Sequence, residues 1–133
     1  MRRARRFLLS VMTALLLSGL PLVSQALEAT QVSKTLRITY VEPTTNADGS
    51  PLDDLQGTVI RWSIDGVAQP EIGIPATALT GGGAIQHEVT VPFTPNTLAH
   101  VALDVVGVDT HGNISETVVA STVIDWLPPG KVK

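Results

Sequence analysis

From residue 27 onward, hydrophobic and polar positions alternate. In residues 35–41, Leu36, Ile38 and Tyr40 share one parity, and Arg37 and Thr39 take the other. In residues 58–64, Ile60, Trp62 and Ile64 oppose Arg61 and Ser63. A period of two marks a strand with one buried face. Asp65-Gly66 follows, a two-residue hairpin signal. Val67 begins the return strand and Pro70 ends it. Ile72, Ile74 and Ala76 predict a short edge strand, with Pro75 limiting its pairing. Gly81-Gly82-Gly83 reads as a turn. Residues 85–93 set Ile85, His87, Val89, Val91 and Phe93 against Gln86, Glu88 and Thr90. Val101, Leu103 and Val105 oppose Ala102 and Asp104, and residues 117–126 form the last strand. The prediction is an all-β antiparallel fold of six to seven strands, a sandwich or barrel. No stretch sustains an apolar period of 3.6 between helix caps.

Composition agrees with the pattern. About a third of the residues after 26 are Val, Ile or Thr, which are stiff at χ1 and suit a pleated surface. The predicted core is aliphatic, since Tyr40, Trp62, Phe93 and Trp126 are the aromatic residues after position 26. Residues 27–133 suffice for one domain, which at that size buries roughly 60% or more of its unfolded surface. There is no cysteine, hence no disulfide, thiolate metal site or cysteine nucleophile.

Residues 1–26 read as a secretory signal. Arg2, Arg3, Arg5 and Arg6 form a positive start, and an apolar run follows from Phe7. Ser18, Gly19 and Pro21 break a helix there. Ser24 and Ala26 are the small side chains that precede a cut, placed after Ala26. An uncleaved anchor is the rival, but the run to Val23 is short against the roughly 20 residues of a spanning helix. No transmembrane helix is expected in the mature chain. Without residues 1–26, five bases face twelve acids, a net charge of −7. Such a balance excludes a basic nucleic-acid binder. The expected location is periplasmic or extracellular.

Two segments carry a resemblance. The first is residues 35–64, TLRITYVEPTTNADGSPLDDLQGTVIRWSI, and the second is residues 105–115, VVGVDTHGNIS. Together they resemble a bacterial fibronectin type III, or immunoglobulin-like, module over residues 35–126. In that family a loop of the type N-x-D-G-S-P-L-x-D-L-x-G leads from strand B into strand C. Here it is Asn46, Asp48, Gly49, Ser50, Pro51, Leu52, Asp54, Leu55 and Gly57. A later V-x-A-V-D-x-x-G-N-x-S closes strand F, matched by Val105, Gly107, Val108, Asp109, Gly112, Asn113 and Ser115. The resemblance implies a fibronectin type III-like antiparallel β-sandwich. The chain departs from the family at Val101, where a strand F tyrosine is common, at Thr58, where a tyrosine often follows the loop glycine, and at Tyr40, where tryptophan is usual. Residues 27–34 are short for a first strand, which predicts a stunted or missing strand A. Residues 127–133 form a C-terminal tail.

The chemistry of single residues is bland. Asp48, Asp53 and Asp54 share one loop with Asp109 near in space, yet the spacing matches no EF-hand, so no metal is expected. His87, His100 and His111 are far apart, and His87 takes the apolar parity of its strand as a half-buried residue. Neither a nucleophile elbow nor a phosphate-cradling loop is present. Asn113-Ile114-Ser115 is a glycosylation sequon, read here as part of the turn after strand F. Trp126 either anchors a partner or covers the open end of the sandwich, and the cover is preferred.

The expected function is non-catalytic binding of a protein or surface glycan by an exported module. Fold does not fix function, so this step is analogy. No cofactor or catalytic residue is expected. The candidate contact residues are Asn46, Asp48, Asp53, Asp54, Asp109, His111 and Asn113, because loops at sandwich ends carry function. A structural subunit of an envelope assembly, joined by strand addition at the missing strand, is the alternative. A secreted enzyme is a second and weaker one.

Overall fold

A computed structural model describes residues 27–132. The signal assigned to residues 1–26 lies outside the described residues. Eight strands form two antiparallel sheets. In chain order they are β1 (Glu28–Val32), β2 (Thr35–Val41), β3 (Leu55–Ile64), β4 (Val67–Ala68), β5 (Ile72–Pro75), β6 (Ala84–Thr90), β7 (Leu98–Asp109) and β8 (Val118–Asp125). One sheet has the order β1-β2-β6. The other has the order β4-β3-β7-β8, with β5 also paired to β3. The protein is a β-sandwich. Among the described residues no helix is long and apolar enough to cross a membrane.

The alternating pattern is what buries the core. Leu36, Ile38 and Tyr40 of β2 face Ile60 and Trp62 of β3, Val101, Leu103 and Val105 of β7 and Ile124 of β8 in one cluster. Arg37 on the outer face of β2 pairs with Glu88 across the strand at 3.0 Å. The β3–β4 hairpin turns at Asp65 (φ 49°) and Gly66 (φ 81°), the positive angles a two-residue turn requires. Pro70 ends the return strand as expected, and its carbonyl accepts the Trp62 indole N–H at 3.0 Å.

Three expectations need correction. The first strand is not stunted or lost: residues 28–32 pair with β2 along their full length, Glu28 with Thr39 through Val32 with Thr35. The two-residue turn between them places Ser33 at φ 54°. Ser-Lys carries no glycine or asparagine to advertise such a turn, so the hairpin was invisible. The strand predicted over 85–93 stops at Thr90. The Val91 N–H still donates to the Lys34 carbonyl at 3.1 Å, one rung past the last strand pair, but Pro92 has no N–H to carry the ladder further. Phe93 is therefore half exposed and stands edge-on to Trp126, with ring centroids 4.9 Å apart. The strand predicted over 101–105 is longer, twelve residues from Leu98 to Asp109. Trp126 packs against the core from the end of β8, the covering role.

A buried carboxylate closes the loop end. Glu42, just beyond β2, is 3% exposed. Its side chain accepts the Thr77 N–H at 3.0 Å, the Gly83 N–H at 2.9 Å and the Thr77 hydroxyl. Its own N–H donates to the Gly83 carbonyl at 2.9 Å. These bonds tie the end of β2 to both ends of the β5–β6 connection. Gly81 completes the junction at φ 66°, where a Cβ would lie 1.9 Å from the Pro43 carbonyl oxygen.

Glu42→Ala is expected to cost about 3 kcal/mol, because it strands buried donors that had a charged acceptor. Glu88→Ala, which breaks only an exposed pair, should cost under about 1 kcal/mol. Urea unfolding of both variants checks the contrast.

Candidate functional site

Two segments meet at the loop end. The connection from β2 to β3 folds back on itself as a small hairpin. Thr45 bridges Pro51, and the Leu52 N–H donates to the Thr44 carbonyl at 3.0 Å. At the tip, Asp48 accepts the Ser50 N–H at 2.9 Å and the Ser50 hydroxyl at 2.6 Å. Asn46 donates to Ser50 Oγ and to the Pro51 carbonyl. Leu52 and Leu55 turn inward and are buried.

The second segment follows β7. Asp109 Oδ1 accepts the N–H groups of His111 and Asn113 at 2.9 and 2.8 Å, and Oδ2 accepts the Asn113 amide at 2.9 Å. An aspartate bonding backbone two and four residues ahead is a standard device for holding a turn. Asn113 thus acts as a turn residue, in line with the reading of its sequon. The Ser115 hydroxyl accepts the Gly107 N–H at 2.7 Å, which turns the chain toward β8.

Between these segments lies a groove of about 740 Å3. Its floor is apolar: Leu27, Tyr40, Leu55 and Val105, from both sheets. Its rim is polar, with Asn46 and Asp48 on one side and Asp109 and Asn113 on the other. Four of the seven candidate residues therefore border one cavity. The other three do not. Asp54 and His111 pair with each other at 3.1 Å. With Asp109 they form a group whose ligand atoms lie within 4.8 Å of one another. Asp54 Oδ1 is buried without a hydrogen-bond partner. Asp109 has already committed both oxygens to its turn, so the group is first of all a brace between the two segments. The Thr110 N–H reinforces it by donating to the Asp54 carbonyl at 2.9 Å. Asp53 is exposed and joins neither group.

The groove's floor contains a pair that sequence reasoning missed. The Tyr40 hydroxyl and the Thr58 hydroxyl are 2.6 Å apart, bridging β2 of one sheet and β3 of the other. Both residues stand where the chain departs from the family resemblance, so each departure supplies the other's partner. The signal was available, but only the packing of one sheet on the other joins positions 40 and 58. Burial pushes the Tyr40 hydroxyl above the ordinary tyrosine range, the Thr58 hydrogen bond opposes this, and the Glu42 charge adds to it. Asp48 lies below the usual carboxylate range, chiefly through the Ser50 hydroxyl and then the Ser50 N–H. Asp109 lies below it chiefly through the Asn113 side chain, helped by backbone N–H groups and the nearby His111.

Comparison of the chain with protein-family models, with curated proteins and with solved structures finds no match.

Tyr40→Phe should destabilise the fold by about 1 kcal/mol in urea unfolding, the usual worth of one such hydrogen bond. A second outcome concerns acid. A carboxylate whose folded pKa is depressed stabilises fully above its unfolded pKa and loses that effect as pH falls through the folded value. The amides of Ser50, His111 and Asn113 are therefore expected to hold their NMR shifts through the ordinary carboxylate range. They should move only at lower pH. Movement at the ordinary carboxylate pKa would contradict the hydrogen bonding described.

Proposed function

We propose that this chain is an exported, non-catalytic β-sandwich module of fibronectin type III type that binds a protein or a surface glycan through the loop-end groove. The observation that carries the reading is the convergence of two sequence-distant loops on one cavity with a polar rim and an apolar floor. Binding sites commonly combine an apolar lining with a few placed polar groups. Asparagine and aspartate side chains at the rim suit hydroxyl-rich or backbone partners. The segment 1–26, arginine-led and then apolar, supports export to the periplasm or beyond.

The fold supports the family reading at the level of sheet membership. β2 lies in one sheet, and β3 pairs with β7 in the other. Strands B, C and F divide in this way in immunoglobulin-like sandwiches. The non-catalytic reading is supported by the state of the rim. A general acid or base works best with a pKa near the working pH. Asp48 and Asp109 are displaced in the opposite direction and are engaged in turns.

Ile114, exposed beside the groove, offers a test that leaves the core alone. Ile114→Asp should weaken binding at least about tenfold, the loss typical of a contact residue worth 1.4 kcal/mol. Lys34→Ala, near Phe93 and far from the groove, should leave binding unchanged. Both variants are to be compared with the parent on an array of surface glycans and against envelope proteins by cross-linking. Equal binding by all three would overturn the groove assignment.

A further inference from the structure

The edges of the two sheets are protected unequally. The β6 edge carries Glu88, the β1 edge carries Glu28, and the β4–β5 edge is interrupted by Pro70 and Pro75. Charge and proline are ordinary means of keeping an edge from pairing with another chain. β8 has neither. From Val118 to Ile124 it contains no charged residue, proline or glycine. Val118, Val119 and Val123 are exposed there, Val119 at 73%.

Hydrogen bonds reveal which way the backbone of β8 points. In an antiparallel strand the N–H and C=O of one residue point to the same side, and sides alternate along the chain. Trp126 donates to the Thr97 carbonyl at 3.0 Å and accepts from the Asn96 N–H at 3.3 Å, so even-numbered positions face β7. Asp125 faces the other way. Its N–H donates to Gln31 Oε1 at 2.8 Å, and its carbonyl accepts from Gln31 Nε2 at 3.2 Å. One side chain thus caps that residue as a neighbouring strand would. Val119, Ser121 and Val123 share the parity of Asp125. Among the described residues β8 pairs with β7 alone, so their outward N–H and C=O groups have no strand partner.

We propose that β8 is a docking edge for a second copy of this chain, paired antiparallel about Ser121. The pattern on this edge is self-complementary. A two-fold axis at Ser121 sets Val119 opposite Val123 of the second copy, twice, and Ser121 opposite its own counterpart. All three outward residues then become hydrogen-bonded pairs, about six bonds in total. Two aliphatic cross-strand pairs form on the exposed face. Each Asp125 lies opposite Thr117 of the second copy, so the two carboxylates stay at opposite ends of the junction. The contact is isologous and closes on itself as a dimer. It goes beyond the groove reading and does not depend on it.

The test uses protein recovered from expression of the full sequence, in sedimentation and amide hydrogen exchange over a concentration series. A reversible monomer–dimer equilibrium is expected, with exchange at Val119, Ser121 and Val123 slowing as concentration rises. Val119→Lys should weaken dimerisation about tenfold by removing both aliphatic pairs. Adding Val123→Glu should restore it, because the proposed register sets the two introduced charges opposite each other with opposite sign. Both positions are exposed, and a thermal melt of each variant verifies the fold. A monomer with fast exchange at every concentration overturns the proposal. So does a dimer indifferent to Val119→Lys, or one that the double variant fails to restore.

Discussion

Glu42 sits under the loop end with almost no exposure, and a carboxylate there is costly unless its oxygens are satisfied. Thr77 and Gly83 satisfy them, and they belong to the opposite ends of the β5–β6 connection. The contact leaves no room for a side chain at position 83, where a Cβ would stand 2.6 Å from the Glu42 oxygen. It also fixes where Pro43 leaves β2. From Pro43 the chain rises into the 44–52 hairpin, and that hairpin is one wall of the groove. The position of this wall and the closure of the sheet end therefore share one origin.

The groove's other wall is built by a different logic. Asp109 organises its turn through its own neighbours, with little help from distant residues. The link between the walls runs through Asp54, which bonds His111 by its side chain and Thr110 by its carbonyl. One wall is held from below by a buried charge and the other by local hydrogen bonds, with a brace at the surface.

The opposite end of the sandwich and the β8 edge show what is left unprotected. Phe93 and Trp126 close the far end by edge-to-face contact, and Lys34 lies over the Phe93 ring at 5.0 Å. The β8 edge has a single cap, Gln31, at its last residue. Acidic rim, covered end and largely apolar edge are three different surfaces on one small sandwich.

The sequence by itself determined most of the strands, their buried faces and the chemistry of the glycine-bearing turns. Alternation at 36–40, 60–64 and 101–105 needs only the two-residue pleat, and Asp65-Gly66 or Asp48-Gly49 needs only local backbone freedom. It also marked the two loops as the places to look. Where alternation was weak, as in residues 28–32, or where proline cut a ladder after Thr90, the pattern misled on strand ends. Tertiary structure alone decided the rest. That Tyr40 bonds Thr58, that Glu42 reaches Thr77 and Gly83, and that Asn46 and Asp48 face Asp109 and Asn113 all depend on contacts between segments far apart in the chain. Periodicity reports which face of a strand is buried. It carries no information about which distant partner completes that face, because the choice is made by the packing of one sheet upon the other.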